Sequence, residues 1–350
     1  MATPDLMDMT VDPALFEQTV PRRLVHRSAV SEVMITGWRP LDEKTSIVAA
    51  QWPRAHGFYG PAGGCHDPLL AAETIRQAGL VVSHAELDCP LDRIFLLWDL
   101  SYEVNLAELA VGPGPTNLVL RFTRSQVRHR GRHLAGLRGH IDFYRDGRLV
   151  GMGEGSFDCV SRAAHDRLRA PSMAGRPAQE PPLPEPVDPR LVGRDRPLDV
   201  VLGKNPDRSR VLLSLTNGGD RPLAHLSAIR GDDGPADPLD RAGGREGVWP
   251  LRVDPAHPVL FDHSLDHVPG MALMEAMRQA ALALAHPLPV APVKIYASFT
   301  RYVDLWGGAV VRAKVDAGAG GGELPVRVSI EQAGEVAAAG LVLAGPLPAT

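Results

Sequence analysis

The chain carries one motif twice, as AETIRQA at residues 72–78 and as MEAMRQA at residues 274–280. The shared core is E-x-x-R-Q-A, and the two copies lie 202 residues apart. A weaker similarity precedes each copy, since VHRSAVSEVMITG (25–37) resembles VGRDRPLDVVLGK (192–204). An internal repeat of this length marks a repeated structural unit, so the sequence predicts two copies of one domain.

A third similarity follows each copy, where YRDGR (144–148) resembles EQAGE (331–335). The Asp146-Gly147 step between two alternating runs is typical of a tight β-hairpin turn. The three similarities have different spacings, which loop insertions explain. One insertion is the Gly- and Asp-rich stretch 231–246, which we interpret as a long surface loop.

Proline marks the boundary between the copies. Residues 170–197 include PAQEPPLPEPVDP, and proline removes hydrogen-bond donors and blocks helix formation. We therefore expect an N-terminal repeat over 1–165, an extended Pro-rich linker over 166–190 and a C-terminal repeat over 191–350.

Each copy shows the same order of predicted elements. Two strands come first (32–36 and 46–51 in copy one), and a helix that is apolar nearly all round follows, which is typical of a buried helix. The helix is expected over 68–84 in copy one and over 270–286 in copy two. Strand patterns follow each helix, at 93–102, 117–122, 139–145 and 149–158, and at 293–302, 309–315, 325–331 and 336–343. This order predicts an α+β fold in which an antiparallel sheet wraps one central helix, the hotdog arrangement, and two such units are expected to pack as a pseudo-dimer.

Composition excludes several classes of protein. The 350 residues are 44% apolar and 22% charged with a net charge of −4, which is typical of a globular chain and unlike a nucleic-acid binder. The N-terminus lacks a signal-peptide pattern and no apolar run is long enough for a membrane span, so we expect a cytoplasmic protein without membrane contact. Three cysteines without a CxxC pair favour reduced, buried thiols over disulfides or zinc.

Charged side chains recur within both predicted helices. Glu275 and Arg278 are three residues apart and share a helix face, as do Glu73 and Arg76. A surface ion pair is one interpretation. The apolar neighbours favour burial, and a buried charge is costly unless it is paired or used, so we favour a functional role.

The start of the second helix contains further candidates. Pro269-Gly270 would let a ligand approach the backbone closely, and the Gly270 and Met271 N–H groups could hold a developing oxyanion, although both residues could merely mark a turn. His263 and His267 have metal-ligand spacing, but no third ligand is evident and no metal is expected. Each is a candidate hydrogen-bond donor, general base or structural histidine, as is His257.

Arginines cluster between residues 121 and 138. The chain has only four lysines, and its excess of arginine is typical of a GC-rich genome. A solvated face is therefore one interpretation of the cluster. The alternative is a docking site for an acidic carrier protein or a phosphopantetheine arm.

These residues resemble the AfsA family, the A-factor biosynthesis hotdog proteins. The resemblance covers residues 20–157 and 191–342. In copy one it rests on HDPLL (66–70), AETIRQAG and Trp98-Asp99-Leu100. In copy two it rests on Asp262-His263, DHVPGM (266–271), Glu275 and Arg278-Gln279-Ala280.

The resemblance implies acyl transfer from a β-ketoacyl thioester to a hydroxyl of dihydroxyacetone phosphate. The β-keto ester would cyclise to a butenolide phosphate, a precursor of γ-butyrolactone, butenolide or furan signals. The donor would be a β-ketoacyl-carrier protein or β-ketoacyl-coenzyme A, and no cofactor is implied. The family's important acidic and basic positions fall on Glu73, Glu275 and Arg278.

The chemistry of these side chains suits that reaction. We expect Glu275 or Glu73 to be a base whose pKa is raised by burial, and Arg278 to clamp the phosphate, with Arg76 as a second cation. The Gly270 and Met271 N–H groups would polarise the thioester carbonyl, and the acyl chain would lie in a tunnel along the apolar helix.

Two other functions stay open. Copy two also looks like the β-hydroxyacyl-carrier-protein dehydratases, but Phe261 occupies the position of their catalytic histidine, so a dehydratase or a thioesterase is the first alternative. A non-catalytic sensor of acyl ligands is the second. The repeat already supplies a pair of units, so either a monomer or a homodimer is expected.

Overall fold

The computed structural model describes residues 12–205, 245–316 and 322–348. The chain divides into two compact units, one formed mainly by residues 1–171 and the other by residues 172–347. The proposed surface loop at 231–246 lies outside the described residues except for its last two positions.

The first unit contains a six-stranded antiparallel sheet and one long helix, α1 (Leu69–Glu86). The strands are β1 (Ile35–Pro40), β2 (Thr45–Trp52), β3 (Ile94–Val104), β4 (Thr116–Arg130), β5 (His133–Arg145) and β6 (Arg148–Val160). Their order across the sheet is β1-β2-β4-β5-β6-β3. Fourteen of the 18 residues of α1 are buried, which explains why its sequence is apolar on nearly every side.

The second unit repeats this layout around α3 (Gly270–Ala285). Its described strands are β7 (Glu246–Pro250), β8 (Val290–Phe299), β9 (Val310–Val315), β10 (Leu324–Gln332) and β11 (Glu335–Pro346), in the order β8-β11-β10-β9-β7. The two helices and the antiparallel sheets agree with the α+β hotdog prediction.

Glycines let each helix approach its sheet closely. A Cβ atom on Gly153 of β6 would lie 2.4 Å from Ile75 Cδ1, and a Cβ atom on Gly340 of β11 would lie 2.7 Å from Met277 Sδ. Ile75 and Met277 are equivalent positions of the repeated motif. The same close contact between helix and sheet is therefore built twice.

The boundary region differs from the sequence prediction. Helix α2 (Arg162–Ala174) occupies residues that include Pro171, where an extended linker was predicted from residue 166 onward. The nine residues before Pro171, RAAHDRLRA, are rich in Ala, Arg and Leu, which favour helix formation. No described helix combines the length and hydropathy needed to cross a membrane.

Candidate functional site

A buried glutamate lies at the centre of each unit. In the first unit, Glu73 is 1% exposed and accepts hydrogen bonds from Arg27 Nη2 at 2.7 Å, Arg76 Nη2 at 2.8 Å and Gln77 Nε2 at 2.6 Å. Two guanidinium groups thus share one carboxylate in the core of the unit.

The second unit repeats this cluster. Glu275 is fully buried and accepts from Arg194 Nη2 at 2.7 Å, Arg278 Nη1 at 3.2 Å and Gln279 Nε2 at 2.6 Å. The structure therefore brings Glu275 and Arg278 together as predicted. It also adds Arg194 and Arg27, which were not candidates. The available signal was their alignment, as each is the third residue of the paired stretches 25–37 and 192–204.

Gln77 and Gln279 hydrogen-bond each cluster to the backbone of the segment that precedes the central helix. Gln77 Oε1 accepts from Met34 N at 2.9 Å while its Nε2 donates to the Glu32 carbonyl at 2.7 Å. Gln279 makes the same two bonds to Val201 N and the Asp199 carbonyl, at 2.9 and 2.7 Å. The glutamine of the E-x-x-R-Q motif thus hydrogen-bonds the central helix of each unit to the backbone of the segment that precedes it.

A buried histidine extends each cluster. His56 Nε2 lies 3.3 Å from Glu32 Oε2, and His257 Nε2 lies 3.3 Å from Asp199 Oδ1. In both rings Nδ1 accepts backbone N–H bonds, which fixes the tautomer with the proton on Nε2. Burial lowers the pKa of His257, although Asp199 opposes that effect. These contacts hold the His257 ring within this cluster, and its role stays a prediction.

The expectation that burial raises the pKa of the two glutamates is wrong. Burial alone would raise the pKa of Glu73, but Arg27 and Arg76 outweigh it and hold the pKa at about 2. The pKa of Glu275 is lowered as well, because Arg194 and Arg278 outweigh the effect of burial. Both carboxyl groups are ionised at neutral pH and are poor proton acceptors.

The two candidate phosphate clamps differ in exposure. The Arg278 side chain is 5% exposed, and its donors face Glu275 and the carbonyls of Val192 and Gly193 at 3.4 and 3.5 Å. The Arg76 side chain is 22% exposed and donates to Glu73 and to the Val25 carbonyl. Arg76 is therefore the more accessible of the two cations.

The two central helices begin differently. In α3, Pro269 is extended with ψ 148°, and the first hydrogen bonds run from Ala272 N and Leu273 N to the Pro269 carbonyl. The N–H groups of Gly270 and Met271 have no hydrogen-bond acceptor in the part of the chain that the structure describes. They form the pair of donors that the sequence predicts.

The equivalent donors of α1 are removed or occupied. Pro68 stands at the position of Gly270 and has no N–H group. Leu69, at the position of Met271, donates its N–H to Asp67 Oδ1 at 2.9 Å. The start of α1 therefore offers no such pair of donors to a ligand.

An aspartate–histidine pair directly precedes α3. His267 Nδ1 lies 2.7 Å from Asp266 Oδ1, and the ring packs edge-on against Tyr302 at 4.7 Å between centroids. His263 is more exposed, and its Nδ1 lies 3.7 Å from Asp262 Oδ2. The tighter contact orients His267 rather than His263, three residues before Gly270.

A small cavity adjoins the first turn of α3. Its lining is mainly apolar and includes Val200, Val201, Leu260, Phe261 and Ala272. It has room for about one water molecule. The predicted acyl tunnel stays a prediction.

The described residues form two hotdog-type units, and in the second unit a helix start with two backbone donors that have no acceptor among these residues follows a paired histidine. The sequence matches the AfsA family, described as the A-factor biosynthesis hotdog domain, over residues 9–161 and 236–347. A 2-oxo-3-(phosphooxy)propyl 3-oxoalkanoate synthase of Streptomyces virginiae is 40% identical over 314 residues, which cover 90% of this chain and 93% of that protein. A synthase of the same name from Streptomyces griseus is 34% identical over 330 residues, covering 92% and 94%. The chain belongs to the AfsA family.

Proposed function

We propose that this protein transfers a 3-oxoacyl group from a thioester to a hydroxyl of dihydroxyacetone phosphate. The observation that carries the proposal is the start of α3, where two N–H donors without acceptors among the described residues follow an oriented histidine. The synthases related to this chain are named for a 3-oxoalkanoate ester of a phosphooxypropyl group, which is the product of that transfer.

The proposed reaction begins with attack of the acceptor hydroxyl on the thioester carbonyl. His267 Nε2 takes the hydroxyl proton, and Asp266 accepts the Nδ1–H bond that holds the tautomer and orients the ring. The carbonyl oxygen becomes an oxyanion, which the Gly270 and Met271 N–H groups stabilise with the positive end of the helix dipole. The tetrahedral intermediate then expels the thiolate, which takes the proton from His267.

The buried clusters have a positioning role in this mechanism. Arg194 and Glu275 hold α3 against the segment that precedes the sheet, so they set where the helix begins. A catalytic role for Glu275, Glu73 and Arg278 stays a prediction of the family resemblance. The same holds for phosphate binding by Arg278 and Arg76.

The ester product has an intramolecular continuation. Its activated methylene lies between two carbonyl groups and can add to the ketone of the dihydroxyacetone part, with loss of water, to form a butenolide phosphate. That product is the expected precursor of a γ-butyrolactone-type signal in secondary metabolism. We place the enzyme in the cytoplasm, as a monomer with an internal pseudo-dimer or as a homodimer.

The test is a mass-spectrometric assay with purified protein, a 3-oxoacyl thioester and dihydroxyacetone phosphate. Wild type, His267→Gln and Arg278→Ala are compared, with folding checked by circular dichroism. A phosphorylated ester or butenolide made by wild type alone supports the proposal, and loss with Arg278→Ala at intact fold supports the phosphate clamp.

Two other outcomes would overturn the proposal. Thiol release without incorporation of dihydroxyacetone phosphate would identify a thioesterase. Stabilisation by a finished lactone without any turnover would identify a sensor of acyl ligands.

A further inference from the structure

The arginines between residues 121 and 138 divide into two groups in the structure. Arg124 is buried against Glu86 at 2.6 Å, Arg138 pairs with Asp99 at 2.6 Å, and Arg128 pairs with Asp158. Arg130 and Arg132 have no acidic partner among the described residues. Arg121 has no acidic partner there either, but it is partly buried, so the exposed unpaired charge of the segment is concentrated at Arg130 and Arg132.

Both positions lie at the tip of the hairpin that joins β4 to β5. Residues 125–132 are all exposed, and the turn contains Gly131 with φ +63°. The stretch SQVRHRGRHLAG (125–136) contains three arginines, two histidines and no acidic residue. In a chain with a net charge of −4, this is a local concentration of positive charge.

The hairpin is anchored rather than loose. Leu134 is 2% exposed and packs in an apolar cluster with Cys89 and Cys159, against which Phe95 and Phe157 also pack. Ladder pairing continues to the tip, where Arg130 opposes His133. Arg130 and Arg132 therefore lie on a hairpin that core packing and strand pairing hold in place.

We propose that this basic hairpin, residues 125–133, docks the acidic carrier protein that delivers the acyl thioester. The partner is chosen by charge complementarity, because unpaired exposed arginines attract a negatively charged protein surface and raise its rate of encounter. Single-stranded nucleic acid is disfavoured, because the hairpin contains no Phe, Tyr or Trp on which bases would stack. This inference rests on the proposed function for the identity of the cargo.

The experiment compares two double variants of the full chain. Arg130→Glu/Arg132→Glu reverses the hairpin charges. Arg39→Glu/Arg167→Glu makes the same change in net charge at exposed arginines elsewhere. Binding of a fluorescently labelled bacterial holo-acyl carrier protein is measured by anisotropy at 50 mM and 300 mM salt, and folding is checked by thermal unfolding.

We expect the hairpin variant to raise the Kd for the carrier protein about tenfold at low salt and the control variant to change it less than about twofold. High salt should remove the difference between the two variants, because it screens the charges. Equal binding by the hairpin variant and wild type, or no measurable binding by wild type, would overturn the docking proposal. Binding of a short single-stranded RNA is measured in the same way. If the hairpin variant lost binding to this RNA but kept its binding to the carrier protein, the docking proposal would also be overturned.

A second measurement separates docking from catalysis. Turnover is followed with the acyl group on the carrier protein and on N-acetylcysteamine, a small thiol that needs no protein docking. The hairpin variant should lose about tenfold in kcat/KM with the carrier donor and less than about twofold with the small donor. Failure of wild type with both donors would refute the proposed function without changing the binding result, and equal losses with both donors would refute docking.

Discussion

The two repeats share their buried scaffold and differ at the start of the central helix. Glu73 and Glu275 each lie between two arginines and one glutamine. At the helix start, however, Pro68 and a capped Leu69 stand where the second unit has Gly270 and Met271 with their N–H groups available. The comparison teaches that the repeated residues make the same buried contacts in both units, whereas the backbone donors of the proposed chemistry are found at the start of α3 and not at the start of α1.

The largest expected effect concerns the histidine before α3. His267→Gln should lower kcat by about 10²–10⁴, because it removes the proposed base while keeping a polar side chain. Stopped assays with wild type and variant would measure the loss. Cys65 is the equivalent buried residue in the first unit, so Cys65→Ala should keep kcat within about threefold when corrected for folded fraction. Similar losses in both variants would remove the functional difference between the repeats.

The next effect concerns the backbone donors. Gly270→Pro makes the second helix start like the first one and should lower kcat by about 10²–10³, since one oxyanion donor is removed. The extended conformation of Pro269 is compatible with a following proline, so the fold should persist. Gly270→Ala keeps the N–H group and is the matched control. If both variants lost activity equally, crowding rather than the donor would be responsible.

Stability should respond alike in both units. Glu275→Gln leaves two buried guanidinium groups without their carboxylate, and Glu73→Gln leaves the buried Arg27 and the partly exposed Arg76 without theirs. Each variant should lower the free energy of unfolding by about 3–5 kcal/mol. Urea unfolding measures this loss. If the Glu275→Gln variant kept the stability of wild type but its kcat fell by more than about 10², the result would indicate that Glu275 is the catalytic base.

The smallest effect is a pH dependence of stability that comes from His66 in the first unit. His66 is 2% exposed, and burial, aided by Arg145, lowers its pKa to about 4 from an ordinary value of 6.5. The unfolded chain gains this proton as the pH falls below 6.5 and the folded chain gains it only near 4, so stability falls across that window. His66→Asn should flatten the stability curve there, as measured by thermal unfolding between pH 7 and pH 4. An unchanged slope would contradict this account.

Local patterns predicted much of the fold. The apolar runs predicted helices over 68–84 and 270–286, and the structure has Leu69–Glu86 and Gly270–Ala285. The Asp146-Gly147 turn is confirmed by positive φ at both residues. Helix α2 was missed where proline content dominated the interpretation.

The candidate site was predicted less completely. The pairing of Glu275 with Arg278 follows from helical spacing, but Arg194 lies 81 residues from Glu275 along the chain. No local pattern reports such a contact. Arg194 is also the largest of the causes that lower the pKa of Glu275, so its absence from the sequence prediction left out the main influence that opposes burial.

The sequence by itself determined that the chain has two related α+β units, where their helices lie and which side chains those helices bury. These properties follow from periodicity and repetition, which are local. Only the tertiary structure decided which arginines share each glutamate, which helix start keeps its backbone donors and which arginines of the hairpin stay unpaired. Those outcomes depend on contacts between residues far apart in the chain, and the electrostatic environment of a group is the sum of such contacts.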